Sequence, residues 1–283
     1  MQAIFRYAMR GSRGSILGWG LAVFAISLLT MVTYDTVYQN AAPLKQMIEN
    51  LPAGFKMFVG DNADKIAEPS GYLEVKYFAF MPVILGVFAL LAGSGMIVAD
   101  EERGRLDLLL SYPVSRTTLF WGRLLATLLS LVLIVGLGWL GLVAGLPTSP
   151  VPISLGSLLL PFAGLLVVLT FAMSLALVLS LLLPARRLAA LIVGLLLVGS
   201  FVVEGLAKTN SSLEWIAALL PLHYYQGASA LDGLQWPPLA GMAAVSAALI
   251  CSAWWLFERR DIRVAGEGAF SWRRRAAAQP AGA

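Results

Sequence analysis

The chain has 283 residues, 59% of them hydrophobic and 13% charged, with a mean hydropathy of +0.79. That is too little charge to cover a water-soluble domain, so a bilayer is the expected solvent. The net charge of +4 and pI near 9.3 reflect how cations are arranged about the membrane, and nucleic acid is excluded as a partner.

In the first dozen residues Ile4, Phe5, Ala8 and Met9 share one side of a helix, and Arg6, Arg10 and Arg13 recur on another. The spacing predicts an N-terminal amphipathic helix lying on the inner leaflet and leading into the first span. A spanning helix needs about 20 mainly apolar residues to cross a hydrocarbon core of roughly 30 Å while satisfying its own backbone. Six stretches qualify, at 14–34, 77–98, 119–146, 154–183, 188–207 and 239–257. The first is not expected to be a cleavable signal, because no small-residue cleavage site follows it before Tyr34-Asp35. The third and fourth exceed what a bilayer requires, so tilt, a kink at Pro161 or extension into water is expected.

About 40 residues separate the first two spans. They carry an apolar-patterned stretch from Leu44 to Leu51, then Pro52, and predict one or two short helices. Their acids, Asp35, Glu49, Asp61, Asp64, Glu68 and Glu74, are scattered and show no calcium-loop spacing.

After the second span the chain reads acidic, then apolar, then stopped by proline: Asp100-Glu101-Glu102-Arg103-Gly104-Arg105-Leu106-Asp107-Leu108-Leu109-Leu110-Ser111-Tyr112-Pro113-Val114-Ser115-Arg116. Leu106, Leu109 and Leu110 share a face of a short predicted helix, the acids near its start suit the helix dipole, and Pro113 ends it. Such a helix just outside the membrane is a docking surface for a soluble partner.

The run from Trp215 to Gly227 is too apolar for a solvated loop and, with Pro221 inside it, too short to cross the bilayer and return. A re-entrant hairpin or interfacial helix is predicted before the last span, anchored in membrane lipid by Trp215, Tyr224, Tyr225 and Trp236. His223 reads as an interfacial hydrogen-bonding residue with no second histidine or nearby carboxylate. Glu204, a possible intramembrane polar site, reads as an interfacial carboxylate with Lys208 four residues on. Cys251 is the single cysteine and lies in the last span, so no disulfide forms within the chain.

Orientation follows from the cations, because Lys and Arg near the spans stay cytoplasmic. The segments that share a side in a six-span arrangement, together with the adjacent Arg123, hold all 15 Arg, and the opposite side holds all 5 Lys. Both termini are therefore expected in the cytoplasm, with Arg186-Arg187 as a topology signal and Trp272 to Arg275 as an inner-surface anchor.

The segment after the second span carries a resemblance. Glu101-Glu102-x-Gly104, four residues, then Leu109-Leu110-Ser111-x-Pro113-Val114-Ser115-Arg116 resembles the permeases of ABC-2 type exporters. The likeness extends over nearly the whole chain, through the amphipathic helix, the six spans with both ends inside, Leu51-Pro52 and the last outer loop. It implies an all-α polytopic plasma-membrane protein, with one transmembrane domain over 1–265 and a disordered tail over 266–283. It also implies a coupling element that sits in a cleft of a separate ATPase, formed by Glu101, Glu102, Gly104, Leu106, Leu109, Leu110, Pro113, Ser115 and Arg116. Two ATPase copies and a second permease, identical or similar, complete the implied exporter. No cofactor is expected on this chain, with ATP and Mg on the partner.

ATP binding by this chain itself is rejected, because it has no Gly-x-x-x-x-Gly-Lys-Ser/Thr run. An intramembrane serine protease would need Ser94 and His223 together, yet they are expected at opposite membrane faces. The main alternative is an ion-coupled secondary transporter without an ATPase, which normally carries ionisable groups mid-membrane; this chain shows almost none. The interior spans, mostly Leu, Val, Gly and Ala, suit an amphiphilic or hydrophobic cargo such as a drug, peptide or lipid.

Overall fold

The computed structural model describes residues 1–40, 42–43, 46, 50, 68–104, 114–148, 153–208 and 210–259, and among them it is helical with no strand. Six helices are long and apolar enough to span a membrane. They are α1 (Gln2–Val32), α2 (Met81–Gly95), α3 (Arg116–Gly145), α4 (Leu155–Leu182), α5 (Arg186–Ala207) and α6 (Trp236–Arg259). The last four agree with the expected spans to within three residues at every end. Pro161 lies inside an uninterrupted α4. The 266–283 tail, Pro52 and the Leu44 to Leu51 stretch apart from Gln46 and Asn50 fall outside the described residues.

The amphipathic N-terminal segment is not a separate element. α1 runs unbroken for 31 residues, about 46 Å at 1.5 Å per residue. Its apolar side meets a neighbouring helix: Ile4 and Met9 pack onto the core, and a Cβ on Gly122 of α3 would lie 3.0 Å from Ile4 Cγ2. Arg6, Arg10 and Arg13 stay exposed on the other side. The expected periodicity is present, and part of its apolar side packs against α3.

α1 and α3 form the most extensive helix pair in the bundle. Gly138, Gly141 and Gly145 make this possible: a Cβ on Gly138 would stand 2.8 Å from Val23 Cγ1, and one on Gly141 or Gly145 would overlap the Phe24 carbonyl oxygen or Met31 Cβ. Small residues at this spacing let helix backbones approach closely where lipid supplies no hydrophobic drive.

The second span begins earlier than expected. A turn of helix at Pro69–Leu73 and a π-helical turn at Glu74–Phe78 precede α2, and Tyr72, Leu73, Tyr77 and Phe78 are buried. Their polar atoms are met: the Tyr72 hydroxyl donates to the Thr30 carbonyl at 2.6 Å, and Ser27 donates to the Tyr77 hydroxyl at 2.9 Å. Tyr77 and Phe78 also pack on Phe162 of α4, with ring centroids 5.9 and 5.3 Å away.

α4 is the centre of the bundle, packed against α2, α5, α6 and α3. Two glycines of α2 permit close approach to neighbouring helices. A Cβ on Gly93 would overlap the Met173 carbonyl oxygen, and one on Gly86 would stand 2.6 Å from Leu197 Cδ1, whereas Gly199 meets nothing.

Candidate functional site at the arginine-rich end

α2 ends at Gly95, and the chain turns through Met96 and Ile97 into a short helix, Val98–Glu102. Gly104 closes that turn at φ +66°, a left-handed conformation that glycine adopts without steric cost, and its N–H donates to the Glu101 carbonyl at 3.0 Å. Ser115 then caps α3, its hydroxyl accepting from the Thr118 N–H at 3.2 Å. Leu106, Leu109, Leu110 and Pro113 fall outside the described residues.

Both sides of this segment are fastened to the bundle. Arg123, about two turns into α3 and only 6% exposed, donates to Asp100 at 2.5 Å and to the Met96 carbonyl at 2.8 Å. Glu102 accepts from Arg186 Nε at 2.8 Å, placing a carboxylate at the N-terminus of α5 where the helix dipole favours it. On the far side, Arg116 donates to the carbonyls of Phe257 and Glu258 at 3.3 and 3.2 Å, a cation at the C-terminal end of α6. The Thr117 hydroxyl donates to the Glu258 carboxylate.

Of the two acids in the sequence motif, Glu101 is 6% exposed and turned into the protein, while the Glu102 side chain is 41% exposed. Sequence reasoning located the segment but not Asp100, Arg123 or Glu258 as its anchors. Arg186, read there as a topology signal, is an ion-pair partner.

The opposite end carries the segment between α5 and α6, a series of short turns at Ser211–Leu213, Glu214–Ala217, Pro221–Tyr224 and Gly227–Leu231. The Leu222 N–H donates to Ser200 Oγ at 3.0 Å in a buried bond. Ser200 lies seven residues inside the end of α5, so the loop dips about 10 Å along that helix. Trp215 and Trp236 are exposed and Pro221 is buried, while the Tyr224 hydroxyl closes onto the Ala218 carbonyl at 2.8 Å.

Tyr225 is not an outward anchor. Its ring lies 4.0 Å from the place a Cβ on Gly164 would take, its hydroxyl has no hydrogen-bond partner among the described residues, and burial pushes its phenol well above the usual range. Two further expectations are corrected here. His223 does have a carboxylate neighbour, Glu204, whose Oε2 lies 3.2 Å from Nδ1, and the side-chain partner of Glu204 is therefore His223 rather than Lys208. The contact joins residues 19 apart through the fold of the loop, so helical spacing could not reveal it.

A carboxylate that sequence reasoning left among the scattered acids has a defined seat. Glu74 Oε2 accepts from the Ala228 N–H at 2.6 Å. Gly227, at φ +53°, wraps so closely that a Cβ there would overlap the carboxylate.

Arg186 borders Gly95, next to Ser94, and Glu204 lies 18 residues further along α5, about 27 Å at 1.5 Å per residue. Ser94 and the His223–Glu204 pair are thus far apart, and the protease geometry is not formed. Among the described residues no group of three His, Cys, Asp or Glu side chains is placed to hold a metal ion.

A sequence profile described as ABC-2 family transporter protein matches residues 3–262. No curated protein matches the chain in sequence. With that match running over nearly the whole chain and six apolar helices beneath it, the protein belongs to the ABC-2 transporter family, as a membrane-spanning permease without an ATPase of its own and with a cytoplasmic ATPase partner implied.

Proposed function

We propose that this permease serves an ATP-driven exporter of the plasma membrane. Both termini lie in the cytoplasm, two ATPase copies bind beneath the membrane, and a second permease, identical or similar, completes the path for an amphiphilic or hydrophobic substrate. The reading of a coupling segment over Glu101 to Arg116 rests on one observation: its described ends are tied to α3, α5 and α6 by Asp100–Arg123, Glu102–Arg186 and Arg116 on the end of α6.

A soluble ATPase closing on nucleotide pushes on this segment, and the ties carry the push to three spanning helices at once. Work passes only if contacts with the ATPase differ between nucleotide states. The helices then tilt as stiff units, and the end carrying the Pro221–Tyr224 turn and the Glu204–His223 contact opens.

The test is affinity purification of the tagged chain from its native membrane, with an ATPase assay of the material recovered. The expected result is a soluble ATPase whose hydrolysis responds to substrate in the wild type and not in Glu102→Ala, which inserts normally. Recovery of the chain alone, without hydrolysis, overturns the exporter reading in favour of ion-coupled transport.

A further inference from the structure

α1 lies along α3, while α2 packs on α4 and α5 and barely meets α3. Where the two groups part at the arginine-rich end, an open groove of about 880 Å³ lies between α1 and α2. That volume is within the range of about 300–1,000 Å³ in which ligand sites fall.

The groove has two chemistries. Its inner part carries Trp19, Phe88 and Leu91, with the rings of Trp19 and Phe88 6.1 Å apart and Leu91 54% exposed, beside the Thr127 and Ser130 hydroxyls, which donate to carbonyls of their own helix. Its mouth carries Arg10 and Arg103. Trp19 is nine residues past Arg10 on α1, so cation and aromatic are separated by about 13 Å along the helix. This is the order of a lipid, charged head first and chain behind.

Charge selects the kind of lipid. Arg123 and Arg186 also border the groove, but Asp100 and Glu102 neutralise them. Arg10 and Arg103 are exposed and form no ion pair among the described residues. Two guanidinium groups therefore stand uncompensated beside an apolar slot, and a guanidinium matches phosphate oxygens in a bidentate fork.

We propose that this groove binds an anionic phospholipid of the surrounding bilayer, with its phosphate on Arg10 and Arg103 and an acyl chain along Trp19, Phe88 and Leu91. The site requires neither the ATPase nor a transport direction, so it stands or falls separately from the exporter reading.

Native mass spectrometry of the full chain, purified in detergent and supplied with equal phosphatidylglycerol and phosphatidylcholine, tests it. The wild type retains phosphatidylglycerol in preference, by about fivefold for each arginine. R10Q/R103Q abolishes the preference, and R10K/R103K, which keeps the charge without the fork, keeps part of it, which separates headgroup binding from a fold defect. Leu91→Trp fills the slot and lowers phosphatidylglycerol retention with both arginines intact. Equal retention of the two lipids by the wild type overturns the proposal. So does an equal loss in R187Q, which removes an exposed arginine outside the groove.

Discussion

Arg123 holds Asp100 at 2.5 Å from a position that is almost sealed from solvent, joining α3 to the turn that follows α2. A buried cation is tolerated when a carboxylate and a carbonyl meet it together, as Asp100 and Met96 do here. Arg123→Leu takes the buried cation away from Asp100 and from the Met96 carbonyl, and the expected loss of stability is about 3–5 kcal/mol. Thermal unfolding in detergent checks it, and adding Asp100→Asn to that variant recovers part of the loss.

Glu102 and Arg186 behave differently. Their side chains are 41% and 30% exposed, so the pair adds less than about 1 kcal/mol to stability. Arg186→Glu is expected to insert and melt nearly as the wild type while lowering substrate-stimulated hydrolysis in the assembled transporter. The charge-exchanged E102R/R186E recovers that hydrolysis. Normal coupling in the single variant removes this pair from the transmission path.

Gly141→Ala puts a methyl group onto the Phe24 carbonyl oxygen, and a backbone atom within a helix cannot step aside. A loss of about 1–3 kcal/mol is expected, read as a lower melting temperature and a broadened size-exclusion peak. Gly199→Ala, where nothing lies within 4 Å, is the matched control and leaves both unchanged.

At the other end, Gly227→Ala combines a strained φ of +53° with overlap on Glu74. It is expected to detach the loop from the end of the second span. Glu74→Gln keeps an oxygen that can accept from Ala228 N–H and is expected to be mild, whereas Glu74→Ala leaves that N–H unmet. Protease sensitivity of the segment between α5 and α6 distinguishes these outcomes.

The orientation is checked by labelling with an impermeant maleimide. In a Cys251→Ser background, Arg187→Cys is expected to stay unlabelled in intact cells and Glu214→Cys to react. The reverse pattern inverts the topology.

The spans were legible because an apolar run of about 20 residues has few other uses, and α3 to α6 follow the sequence pattern closely. α1 was harder, since an amphipathic stripe is written the same way whether it faces a membrane surface or another helix. The small Gly122, which gives Ile4 a place to pack, lies far along the chain. The start of the second span was hidden by Glu74 and Lys76, polar residues that suggest a loop until Ala228, 154 residues later, supplies a partner for the carboxylate. The segment from Glu101 to Arg116 was singled out by its local pattern, whereas the contacts of its described ends depend on three-dimensional neighbours that no spacing encodes.

The glycine-mediated contact between α1 and α3 has a mechanical consequence. With the backbones that close, neither helix can roll or slide on the other without collision, so the pair has the freedom of a single rod about 46 Å long. Such a rod can lean but cannot bend locally. A small rotation at Arg123 then appears, in proportion to distance, as a larger sideways displacement near Met31 and Gly145, so that two charges near one end set the amplitude at the other.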